Sequence, residues 1–106
     1  MKRILVCIAI ASMVTGAVGM SSYFRVFKST YGVQSSSRLG KAQCLVCHRS
    51  TGSKKLNAYG RDVRRALGGK RTLTSSILGM IERLDSAGSG KTNIQKIHAD
   101  QLPGVK

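Results

Sequence analysis

The chain has no tryptophan, one proline, two phenylalanines, three tyrosines and only 4 acidic residues among 106. So little aromatic area leaves a weak case for a self-sufficient core, and chains near this size commonly need a covalent or metal staple. The four carboxylates, Asp62, Glu82, Asp85 and Asp100, offer no evident general acid–base pair, so no enzymatic activity is expected. No segment alternates convincingly with a period of two, which excludes a sheet-based fold and leaves an all-α one. No internal repeat or low-complexity tract divides the sequence, and only one domain beyond the N-terminal segment is expected.

That N-terminal segment pairs Lys2-Arg3 with the apolar stretch Ile4 to Val14 and then the small residues Gly16, Ala17 and Gly19. The order is that of a secretory signal, with Ala17-Val18-Gly19 as a small-x-small cleavage site. Residues 1–19 are therefore expected to be a signal peptide and 20–106 an exported, periplasmic or otherwise extracytoplasmic domain. The alternative is an uncleaved anchor, because Ile4 to Met20 reaches the short limit of a membrane span. Cys7 falls inside the signal and would leave with it.

The two other cysteines stand in Cys44-Leu45-Val46-Cys47-His48. Residues three apart on one helical turn share a face, so both thiols can reach one bound group, and an imidazole directly after the second is the pattern of c-type haem attachment. The residues alone leave two other chemistries open. A structural zinc site would take Cys44, Cys47 and His48 with His98 as a distant fourth ligand, and a redox dithiol would use the two thiols directly. The dithiol reading lacks the preceding strand that such motifs follow.

Behind an export signal, Cys44 to His48 resembles the attachment motif of small exported monohaem c-type cytochromes. The resemblance is close over those five residues and loose elsewhere. It implies a small bundle of short helices packed around one covalent haem c, with Cys44 and Cys47 as thioether anchors and His48 as axial iron ligand. It also implies one-electron transfer. Lys54-Lys55, Asn57-Ala58-Tyr59-Gly60 and Leu102-Pro103-Gly104 are similar to strings in short exported bacterial haem c proteins of undefined role. For the sixth iron position Met80 competes with His98, and the expected methionine in a loop before proline is missing. A filled position suits an electron carrier, whereas an empty one would suit a haem-based sensor or small-ligand-binding module.

The charge is lopsided, with 18 basic residues and a formal net charge of +14. Such a field speeds encounter with acidic partners and decays over about 8–10 Å in physiological salt. Lys54, Lys55, Arg61, Arg64, Arg65, Lys70 and Arg71 are expected to form a face for an acidic redox partner, and contact with a membrane surface fits the same charge. Nucleic acid is not expected, since export argues against it and the aromatics do not alternate with the basic clusters.

The remaining pattern predicts short helices. Ser21-Ser22 caps an aromatic stripe of Tyr23, Phe24, Phe27 and Tyr31 that ends at Gly32, and Arg38 to His48 carries the motif. Asn57 caps a helix to Leu67 that buries Ala58, Val63, Ala66 and Leu67 before Gly68-Gly69. Thr72 or Thr74 opens a stripe of Leu73, Ile77, Met80, Ile81 and Leu84, and Thr92-Asn93-Ile94-Gln95 has capping-box form for a last helix bearing Ile94 and Ile97. Ser86 to Thr92 imitates the end of a phosphate-binding loop, but no buried strand precedes it and nucleotide is not expected. As a calcium loop it lacks ligands at Ala87, Ser89 and Lys96, so no calcium is expected either.

Overall fold

The computed structural model describes residues 22–106, and among these the chain is helical with no strand. The expected signal peptide of residues 1–19, with Cys7, lies outside the described residues. Helix α1 spans Ser22–Tyr31, α2 Arg38–Ala42, α3 Ala58–Leu67, α4 Ser75–Gly79 and α5 Asn93–His98, with a 3-10 turn at Gln43–Val46. Among the described residues no helix is long and apolar enough to cross a membrane.

The aromatic stripe forms α1 as its spacing requires. Phe24 and Phe27 are buried, and Phe27 meets Tyr31 and Tyr59 edge-on at 5.2 and 6.0 Å between ring centroids. Offset and edge-to-face rings such as these add to what their buried area contributes. Gly32, at φ +61°, follows directly on α1 and adopts the left-handed conformation without the strain a side chain would meet there.

Helix α3 starts at the Asn57 cap and stops at Gly68, in the left-handed conformation with φ +57°. Its buried stripe is Tyr59, Val63 and Leu67, while Ala58 and Ala66 are half-buried. Val63 and Leu67 are buried as expected, while the large ring of Tyr59 takes the core position in place of Ala58. Arg61, Arg64 and Arg65 are exposed.

The stripe from Leu73 is interrupted. Thr74 caps α4, which ends at Gly79, and beyond it the amides of Ile81 and Leu84 bond three residues back, to Leu78 and Ile81. Tightening to three residues per turn breaks the α-helical register. Ile77, Leu78 and Ile81 stay in the core, while Met80 is 67% and Leu84 45% exposed.

The last helix is tied down by its own cap and by one buried side chain. Thr92 Oγ1 accepts from the Gln95 amide and Gln95 Oε1 accepts from the Thr92 amide, a complete capping box. Asn93, buried, donates to the Ile81 carbonyl at 2.9 Å and accepts from the Ser86 amide at 3.2 Å, which closes the glycine-rich turn. In that turn the Ser89 and Gly90 amides, which a phosphate loop would aim at its ligand, donate to the carboxylate of Asp85 at 2.9 and 2.8 Å.

Candidate haem-attachment site

Gln43, at φ +49°, breaks α2 from the motif, so Cys44 and Cys47 stand on a 3-10 turn instead of an α-helix. Residues three apart eclipse one another in that geometry, which sets both thiols on one side. The amides of Cys47 and His48 both donate to the Cys44 carbonyl, at 3.2 and 2.8 Å, and close the turn. Cys44 is exposed and Cys47 half-buried, and the two are not disulfide-bonded. Burial, with a smaller contribution from Cys44, pushes the Cys47 thiol up to about 11, the opposite of an activated redox cysteine.

Both cysteines and His48 line one cavity of about 400 Å³, walled by Phe24 and Phe27 of α1, Val46, and Val63 and Leu67 of α3. Its size and apolar walls are those of a small-molecule or cofactor site. His48 Nδ1 is itself buried without a hydrogen-bond partner. A buried polar atom left unpaired costs on the order of 1–3 kcal/mol and calls for an explanation. Two thiols on one side and an imidazole lining the same apolar cleft fit a covalently held porphyrin.

The turn is held from behind by Asn57. Its side-chain amide donates to the carbonyls of Leu45 and Val46, both at 3.1 Å, its side-chain oxygen accepts from the Gly60 amide at 2.9 Å, and its own amide donates to the Cys47 carbonyl at 2.8 Å. Gly60 lets α3 approach that close: a Cβ there would lie 2.1 Å from the Cys47 carbonyl oxygen. Gly104 does the same from the C-terminal side, where a Cβ would lie 2.3 Å from Asn57 Oδ1. The strings Asn57 to Gly60 and Leu102 to Gly104, far apart in sequence, therefore converge on the back of the motif.

Beyond membership of the Asn57 to Gly60 string, the sequence marks Asn57 as a helix cap and gives Tyr59 no role of its own. A glycine inside a helical pattern, here Gly60, was the available signal of close backbone approach. Tyr59 is fully buried and its hydroxyl, like His48 Nδ1, has no partner. Asp100 was also unassigned; its carboxylate accepts from the amides of Arg38 and Leu39 at 2.9 and 3.0 Å and so fastens α2 to the C-terminal segment. These bonds hold the Asp100 carboxyl below the usual carboxylate range.

The structure does not bring every candidate together. Met80 and His98 are both exposed, and neither lines the cavity. Among the described residues no group of three or more His, Cys, Asp or Glu side chains is arranged to hold a metal ion, so Cys44, Cys47, His48 and His98 do not converge as a zinc site requires. Arg64 and Lys70 do line the cavity, and Arg64 also borders an adjoining basic groove with Lys54, Lys55 and Arg61. A larger groove of about 780 Å³ lies away from the motif, bordered by Arg38, Lys41, Lys91, Lys96 and Lys106. No protein-family model, curated protein or solved structure matches this chain.

Proposed function

We propose that this chain is an exported c-type cytochrome carrying one electron at a time on a single covalent haem. The observation that carries the reading is the apolar cavity of about 400 Å³ whose wall holds Cys44, Cys47 and His48 together. Bound there, haem c would supply iron that alternates between ferric and ferrous states. Cys44 and Cys47 would hold it through thioethers, and His48 would ligate its iron. Phe24, Phe27, Val63 and Leu67 give the cleft apolar walls, and the Asn57 clamp keeps the motif turn in place.

Arg64 and Lys70 are the cations on the cavity wall and are suited to the propionate carboxylates. The basic groove that continues from Arg64 supports docking of an acidic redox partner, with the charge acting chiefly on the encounter rate. Every carboxylate in the chain is occupied structurally: Asp62 by Arg65 and Ser86, Glu82 by Tyr31, Asp85 by its own turn and Asp100 by α2. That arrangement supports a carrier over an acid–base catalyst.

The test is expression of the full chain with haem-attachment machinery, followed by a denaturing gel stained for haem and by mass measurement. Colour that travels with the polypeptide, lost in Cys44→Ala and weakened in His48→Ala, is the expected result. A colourless chain with the mass of the bare polypeptide, or one carrying zinc, would refute the proposal.

A further inference from the structure

We propose that the groove of about 780 Å³ between α2, the glycine-rich turn and the C-terminal segment is a site for a small, multiply charged phosphate anion, separate from the cysteine cavity and independent of what that cavity holds. Five cations border the groove, Arg38, Lys41, Lys91, Lys96 and Lys106, against one acidic side chain, Asp100. The Asp100 carboxylate is already engaged by the Arg38 and Leu39 amides. Lys41, Lys91 and Lys106 are exposed, and their side chains have no ion-pair or hydrogen-bonded partner among the described residues.

The deciding residue is Lys96. Lysine is almost never fully buried without a paired charge, yet Lys96 is 4% exposed and in no ion pair among the described residues. Its ammonium donates to the Val105 carbonyl, which leaves two of its three donors without a protein partner. Burial pulls Lys96 below the ordinary lysine value; Asp85 opposes that shift and Lys91 adds to it. A buried ammonium short of counter-charge is costly, and an anion in the groove that Lys96 lines supplies what is missing. Phosphate suits these donors, because its oxygens accept several charge-assisted bonds at once, from lysines as point charges and from the Arg38 fork. A compact anion can enter a recess to meet a buried ammonium, whereas a flat membrane surface cannot. No aromatic side chain borders the groove, and no strand edge exists among the described residues, so an acidic peptide finds neither an anchor nor a backbone ladder.

The experiment is calorimetric titration of the full chain with pyrophosphate at physiological ionic strength. Expected is saturable binding at a single site, weakened about tenfold or more in Lys96→Met, which keeps the buried stem without its charge. Lys41→Ala combined with Lys91→Ala, at two exposed positions that the fold does not use, should weaken it similarly and serves if the Lys96 variant does not fold. Arg83→Ala removes an exposed cation away from the groove and should leave binding unchanged. Absent binding, binding spread over several weak sites, or equal weakening in Arg83→Ala would overturn the proposal. So would an acidic peptide or a vesicle of anionic phospholipid that binds through Lys41 and Lys91 and is not displaced by pyrophosphate, since the occupant would then be a macromolecule.

Discussion

Helices α3 and α5 begin with the same device and use it differently. Thr92 and Gln95 satisfy each other within four residues, and the box would form wherever α5 formed. Asn57 caps α3 with its oxygen but spends its amide on Leu45 and Val46, twelve and eleven residues away, and is packed from outside by Gly104. One cap is local bookkeeping; the other joins three parts of the chain at the back of the cysteine motif. The contrast teaches that a helix start can double as the support of a site.

The strongest way to break the α3 arrangement is Gly60→Ala. A methyl 2.1 Å from the Cys47 carbonyl oxygen must push α3 off the motif turn, and a loss of about 3 kcal/mol or more is expected in denaturant unfolding. Next is Asn57→Ala, which removes the cap and strands two carbonyls, with an expected loss of about 3 kcal/mol. Asn57→Asp sharpens the point: it keeps an oxygen for Gly60 but no donor for Leu45 and Val46, so it should recover only the capping share. Thr92→Ala, by contrast, should cost about 1 kcal/mol. Equal losses at Asn57 and Thr92 would erase the distinction.

Two smaller effects probe the same neighbourhood. Tyr59→Phe removes a buried hydroxyl that has no partner, and should leave stability unchanged or raise it by up to about 1 kcal/mol, in contrast to the loss expected for a bonded tyrosine. Asp100 gives a pH signature. Its carboxyl, held down mainly by the Leu39 and then the Arg38 amide, binds its proton less readily folded than unfolded. Its contribution is therefore complete above the ordinary value of 3.8 and disappears as pH falls through the lower, folded value. Asp100→Asn should flatten that acid limb of the unfolding curve; an unchanged limb would mean that the bonds to α2 contribute nothing.

Local chemistry was legible from the residues themselves. The cysteine motif, the Asn57 and Thr92 caps, the stop at Gly68 and the buried Phe24 and Phe27 all rest on spacings of three or four residues and on side chains that act on their own backbone. The stripe at Met80 and Leu84 misled because the change to bonds three residues back after Gly79 leaves no mark in composition. Tyr59 escaped notice for a related reason: whether a tyrosine or the alanine beside it faces inward depends on what α3 packs against.

The sequence by itself determined where the helices at Asn57, Thr74 and Thr92 begin, the positive charge and the pairing of two thiols with an imidazole, since each depends on neighbours along the chain. Only the tertiary structure decided that Gly60, Gly104 and Asn57 meet behind the motif, that α1 and α3 leave an apolar cavity in front of it, and that Met80 and His98 stand away from that cavity. Those are contacts between residues tens of positions apart. Their existence depends on how the helices pack, and side-chain volume and backbone approach, not sequence spacing, set that.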